Sequence, residues 1–186
     1  MSSYHERSRE LQDRFDTRRL ADALAQKLSR TAFSAEDKAF IESRPMFFLA
    51  SADAQGQPDC SYKGGMPGFV RVTGEAELSF PSYDGNGMFR SLGNVLANPR
   101  VGLLFLDFEQ PRRLRVLGVA RLEEPDGTVG GAQLMVRVRA ERIFPNCPRY
   151  IHRMQLVEPS VYAPRPGHEP PEPAWKNSFR EHLPKG

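Results

Sequence analysis

No apolar run in this chain approaches the ~20 residues that span a bilayer. The N-terminus, MSSYHERSRE, carries charge where a secretory signal has an apolar stretch. A membrane partner and an export signal are therefore not expected, and a cytoplasmic location follows. Cysteine is scarce: Cys60 and Cys147 form no C-x-x-C and have no histidine at ligand spacing. That excludes a zinc-finger pattern and gives no reason to expect a metal site. A disulfide is not expected in a reducing compartment. The phosphate-loop signature G-x-x-x-x-G-K-[ST] is absent. A dinucleotide fingerprint is absent too, because Gly85-x-Gly87 would need Gly or Ala at position 90, where the chain has Arg90. There are no internal repeats. Nor is there a strong charge imbalance. The net charge is +3 with a pI near 9.0, and the 26 basic residues, mostly arginine, are interleaved with 23 acidic ones. A nucleic-acid binder would gather them on one face, so no nucleic-acid partner is expected.

What is present suits a single domain. The chain has 186 residues, 39% of them hydrophobic, enough for one sizeable core. Near the N-terminus, Leu11, Phe15, Leu20, Leu24 and Leu28 fall at helical spacing and predict two short helices, the second over 18–29. Ser34 caps a further helix over 35–43, with Asp37 as the capping-box acid, and Arg44-Pro45 stops it. The pattern then changes to period two. Strands are predicted over 46–52, 58–63, 69–73, 75–80, 101–108, 112–123 and 132–144. The first two are joined by a hairpin turn at 53–56, where Gly56 supplies a positive φ. Short strands with one embedded helix argue for an antiparallel barrel or sandwich and against a parallel α/β sheet. From position 159 the chain is rich in proline and extended. Trp175, Phe179 and Leu183 are too apolar for a free tail, so a short helix from about Ala174 is expected to dock on the barrel or on a second subunit. Three regions follow: 1–45, helices packing on the barrel or a partner subunit; 46–158, the barrel; and 159–186, the proline-rich extension.

The stretch that organises the rest is 78–108, LSFPSYDGNGMFRSLGNVLANPRVGLLFLDF. It reads as strand, glycine-punctuated turn, short helix, an Asn98-Pro99 stop and a second apolar strand. The helix is predicted to begin near Gly87 or Met88, with Arg90 and Ser91 in its first turn. A helix start presents unpaired N–H groups and a partial positive charge. Arginine adds a fork of donors, and serine a hydroxyl. Together they make a phosphate cradle.

Three segments carry a family resemblance: FFLASADAQGQPDCSYKGG (47–65), FPSYDGNGMFRSLGNVLANPRVGLLF (80–105) and RRLRVLGVARL (112–122). The chain resembles the FMN-binding split barrels of the pyridoxamine 5'-phosphate oxidase-like superfamily, in an uncharacterised branch of it. The resemblance implies a mainly β fold with flanking helices: a six-stranded antiparallel split β-barrel of Greek-key type. It implies a homodimer with FMN in clefts at the interface, and a flavoprotein oxidoreductase acting on a small molecule. Residue by residue, Lys63 and Arg90, followed by Ser91, look like the cations and hydroxyl that meet the flavin phosphate. Ser61, two residues before Lys63 and so on the same strand face, would face the ring or the ribityl chain. Ser82 and Asn86 are candidates for ribityl or phosphate hydrogen bonds. Arg113 falls where the family places a polar side chain near the ring, often from the other subunit. Cys147 would lie near the cleft. No catalytic acid or base stands out.

The chain departs from the true oxidases at its C-terminus. Ile151-His152-Arg153 does not match the Arg and His that hold the vitamin substrate there, so a vitamin B6 activity does not follow. Three competing functions remain open. One is a flavin sensor or carrier without turnover. Another is a deazaflavin- or heme-binding relative. The last is a nucleic-acid- or anion-binding barrel using Arg112, Arg113, Arg115, Arg137 and Arg139.

Overall fold

The computed structural model describes residues 4–184. Its centre is an antiparallel sheet of seven strands. They are β1 (Met46–Ala52), β2 (Pro58–Gly64), β3 (Arg71–Gly74), β4 (Glu77–Tyr83), β5 (Arg100–Asp107), β6 (Arg112–Glu123) and β7 (Ala132–Pro145). They lie in the order β2-β1-β5-β6-β7-β4-β3. β5, β6 and β7 form a meander, and β4 returns beside β7. This is the Greek-key arrangement.

The expected six-stranded split barrel is not what forms. The sheet has a seventh strand and stays open, with no ladder joining β2 to β3 among the described residues. β3 is only four residues long, and its pairing with β4 slips between Val72 and Gly74. Helices lie against both edge strands, α3 (Ala35–Glu42) on β3 and α4 (Arg90–Ala97) on β2. Covering an edge with a helix is an alternative to closing the sheet.

The sheet nevertheless curls until its ends face one another. Phe47 on β1 lies tilted against Phe105 of the neighbouring β5, with centroids 5.1 Å apart, and meets Phe80 on distant β4 edge-to-face at 4.8 Å. All three are fully buried, with Leu49, Leu78, Leu103, Val116, Val136 and Ile143. Each such side chain contributes about 1.5–3 kcal/mol by leaving water. The alternation read in the sequence puts these residues on one face.

α1 (Glu6–Arg14) and α2 (Arg18–Leu28) bury no residue and leave Leu11, Phe15, Leu20 and Leu24 exposed. The backbone of Arg30 then bridges to Ile143 on β7. The capping box is present: Ser34 Oγ accepts from the Asp37 N–H, and an Asp37 carboxylate oxygen accepts from the Ser34 N–H. That buried carboxylate also takes both contacts of the Arg30 guanidinium, at 2.7 and 2.8 Å. No helix among the described residues is long and apolar enough to cross a membrane.

Candidate functional site

Alternation along β2 places Asp59, Ser61 and Lys63 opposite Ser51, Leu49 and Phe47 of β1. They therefore share the core-facing side of the sheet. Because β2 is an edge strand, these three reach past the core rather than into it. α4 arrives at the same place. Asn98-Pro99 ends it as expected: Asn98 is extended, and its amide holds the Asp53 carbonyl across the β1–β2 turn. Asn94 donates to Ser51 on β1, while Ser91, Leu92 and Val95 are buried. Between β2, the 82–89 loop, the start of α4 and the C-terminal segment lies a cleft of about 1150 Å³.

The helix starts later than its sequence suggests, at Arg90 rather than Gly87 or Met88. The Asn86 side chain accepts from the Met88 N–H at 3.1 Å, and that local turn holds the chain out of the helix. Phe89 is the N-cap in left-handed conformation, φ +48°, and gives no side-chain cap. The first N–H groups of α4 are therefore left for water or a ligand. A left-handed phenylalanine costs about 1–3 kcal/mol, and it occurs at the mouth of the cleft.

Six of the seven expected binding residues line this cleft: Ser61, Lys63, Ser82, Asn86, Arg90 and Ser91. They are not all free. Ser91 Oγ lies 2.8 Å from an Asp59 carboxylate oxygen and 2.9 Å from Ser61 Oγ. With one proton it donates to the carboxylate and accepts from Ser61. Its backbone N–H, not its hydroxyl, is what remains to offer an anion. Asn86 is likewise committed to its own turn.

Lys63 differs. It is half-buried, and no hydrogen bond or ion pair engages it among the described residues. Burial holds its ammonium below the ordinary lysine value, and nearby Asp59 pulls the other way. Arg90 is exposed and also unpaired among the described residues. Arg113 does not line the cleft of its own chain. It pairs with Leu106 on β5 and lies near Cys147, which is also outside the cleft. The Cys147 thiol is pulled below its usual value by hydrogen bonds from the Arg149 backbone and guanidinium. Other arginines of the possible basic face are paired: Arg112 with Glu36, Arg137 with Glu77 and Glu123, and Arg139 with Glu141. No cluster of three or more His, Cys, Asp or Glu could hold a metal ion among the described residues.

Two features went unseen in the sequence. Asp59 continues the Ser61/Lys63 face, and period two along β2 was the signal for it. Being anionic, it opposes a bound phosphate, so Asp59→Asn is expected to tighten inorganic phosphate binding about threefold to tenfold, measured by calorimetry. The second is that the C-terminal segment docks at this cleft. The expected short helix forms as a 3-10 helix, Ala174–His182. Trp175, Lys176, Phe179, His182 and Leu183 line the cleft, with Lys176 Nζ 2.9 Å from an Asp84 carboxylate oxygen. The apolar spacing signalled docking but not its target. An exposed ion pair is a weak latch. Lys176→Ala, which also removes the tryptic site at that position, is expected to speed trypsin cleavage after Arg180 about twofold to threefold, with no change in rate at sites outside the segment.

The family model for Pyridoxamine 5'-phosphate oxidase matches residues 33–162. No curated protein matches the chain significantly. Among solved structures, HupZ of Group A Streptococcus is 20% identical with a TM-score of 0.50, the match covering 66% of this chain and 99% of that one. HutZ, described as the heme storage protein from Vibrio cholerae, is 20% identical with a TM-score of 0.44, covering 61% and 94%. A FAD-binding protein from Mesorhizobium loti is 20% identical with a TM-score of 0.44, covering 63% and 95%.

Proposed function

The chain belongs to the pyridoxamine 5'-phosphate oxidase family, and from that premise we propose that it is a cytoplasmic, homodimeric FMN-binding oxidoreductase acting on a small molecule. The phosphate of the flavin is held by Lys63, Arg90 and the first N–H groups of α4. Ser61, Ser82 and Asn86 flank the ribityl chain, and Ser91 contributes through its backbone. Arg113, outside the cleft of its own chain, faces the ring bound by the partner subunit.

The observation that carries this reading is Lys63. A half-buried ammonium without a partner is costly, and here it faces a cleft shared with an unpaired arginine and an uncapped helix start. A phosphate dianion offsets all three at once. The loop-and-helix geometry accepts an anion at the cleft floor, and the volume admits a cofactor-sized molecule. Bound there, FMN supplies the hydride and electron transfer. The chain's own residues bind it, orient it and limit access of water. None of them is assigned as a proton donor or acceptor.

The test is uptake of FMN and of riboflavin by the purified full chain, followed by visible absorbance. Arg90→Ala is expected to weaken FMN binding about tenfold to a hundredfold, the worth of a hydrogen bond to a charged group, and to leave riboflavin binding unchanged. Equal FMN affinity in the variant overturns the phosphate assignment. A parent chain that takes up no FMN, or that purifies with a heme spectrum, overturns the cofactor.

A further inference from the structure

The cleft has two chemically different walls. β2 and α4 supply the charged and hydroxyl groups. The C-terminal segment and the end of the glycine loop supply something else: Trp175, Phe179, Met88 and Phe89, which are 41%, 52%, 58% and 51% exposed. Large apolar side chains gathered in one cleft and left in water mark a binding surface. Trp175 and Phe179 form an edge-to-face pair with centroids 6.2 Å apart at 60°. The Trp175 indole N–H has no hydrogen-bond partner among the described residues. Lys176, between the two aromatics in sequence, joins the segment to Asp84 by one ion pair, so this wall is positioned at the cleft but only lightly held.

The volume is also large for a single small ligand. Small-molecule sites run to about 300–1,000 Å³, and this cleft is about 1150 Å³. With a phosphate-bearing cofactor on the Lys63/Arg90 side, the aromatic side remains. We propose that the C-terminal segment is the substrate-binding element of the cleft and takes a planar aromatic carboxylate, its ring against Trp175 and Phe179. Once the phosphate takes Lys63 and Arg90, His182 and the indole N–H are left to meet the carboxylate. The inference rests on the proposed reading only in calling this second ligand a substrate.

The experiment is calorimetric titration of the full chain, with and without saturating FMN, using 2-naphthoate as the planar probe. Cyclohexanecarboxylate serves as a probe of equal charge and different shape. Expected results are binding of 2-naphthoate at least about tenfold tighter than cyclohexanecarboxylate, and loss of about tenfold or more in Trp175→Ala, the usual worth of one aromatic stack. Trp175→Phe keeps most of the affinity, which separates loss of the ring from undocking of the segment. Inorganic phosphate binds all variants alike. The proposal is overturned if 2-naphthoate does not bind, if the two carboxylates bind equally, or if Trp175→Ala binds 2-naphthoate as the parent does. Failure to take up FMN while the 2-naphthoate pattern holds removes the cofactor reading and leaves the aromatic wall standing.

Discussion

Lys63→Met is expected to weaken phosphate and FMN binding about a hundredfold while raising the melting temperature of the ligand-free protein. The two effects have one cause. Burial depresses the pKa of Lys63 in the folded state relative to the ordinary 10.5. Where both states are protonated, the folded one carries the desolvation cost. Between the lowered folded value and 10.5 the unfolded chain binds more protons, so stability rises with pH through that window. Methionine keeps the stem packed and removes both the cost and the slope. Because the ammonium is only half-buried, solvent screening limits the gain to about 1–3 °C. The binding loss reflects a charged hydrogen bond. Calorimetric melts at pH 7 and pH 10, with phosphate titrations alongside, read both halves. A variant that melts lower and binds phosphate normally contradicts the assignment.

Gly118→Ala is expected to prevent folding or to cost at least about 3 kcal/mol, seen as insoluble protein or a fall in melting temperature of roughly 6–12 °C. An added Cβ at Gly118 would sit 2.2 Å from the Arg139 carbonyl oxygen and 3.1 Å from Ala140 Cα. Both are backbone of β7, and the β6–β7 register shifts between Leu117 and Gly118. Neither strand can yield without breaking the ladder that carries the meander. Gly102→Ala is the control. Its nearest neighbour is the end of the Leu117 side chain at 3.4 Å, and a change under about 1 kcal/mol is expected. Equal loss in both variants would show that crowding at Gly118 is not the cause.

Much of the fold was legible because its signals are local. The 46–52 and 58–63 hairpin has Asp53 in its turn, where the side chain accepts from the N–H groups of Gln55 and Gln57. The 112–123 strand and the Ser34 cap lie where the sequence puts them. What could not be read depended on neighbours distant in sequence. Whether β2 and β3 close a barrel is decided by the short, slipped β3 and by the helices on the edges. The start of α4 depends on an asparagine turn and a left-handed phenylalanine that no propensity favours. At the site, spacing showed that Ser61 and Lys63 share a face. It could not show that Asp59 occupies the Ser91 hydroxyl, or that a segment from the far end of the chain forms the second wall.

Trp175 is the only tryptophan in the protein, and it belongs to that segment rather than to the sheet. Intrinsic fluorescence therefore follows the docking of the C-terminus and is nearly blind to the β core. A thermal melt followed by tryptophan emission will report the segment leaving the cleft, ahead of the loss of far-UV dichroism from the sheet. Two probes that disagree are the usual sign of an intermediate. Here they would disagree even if the sheet unfolds in a single step.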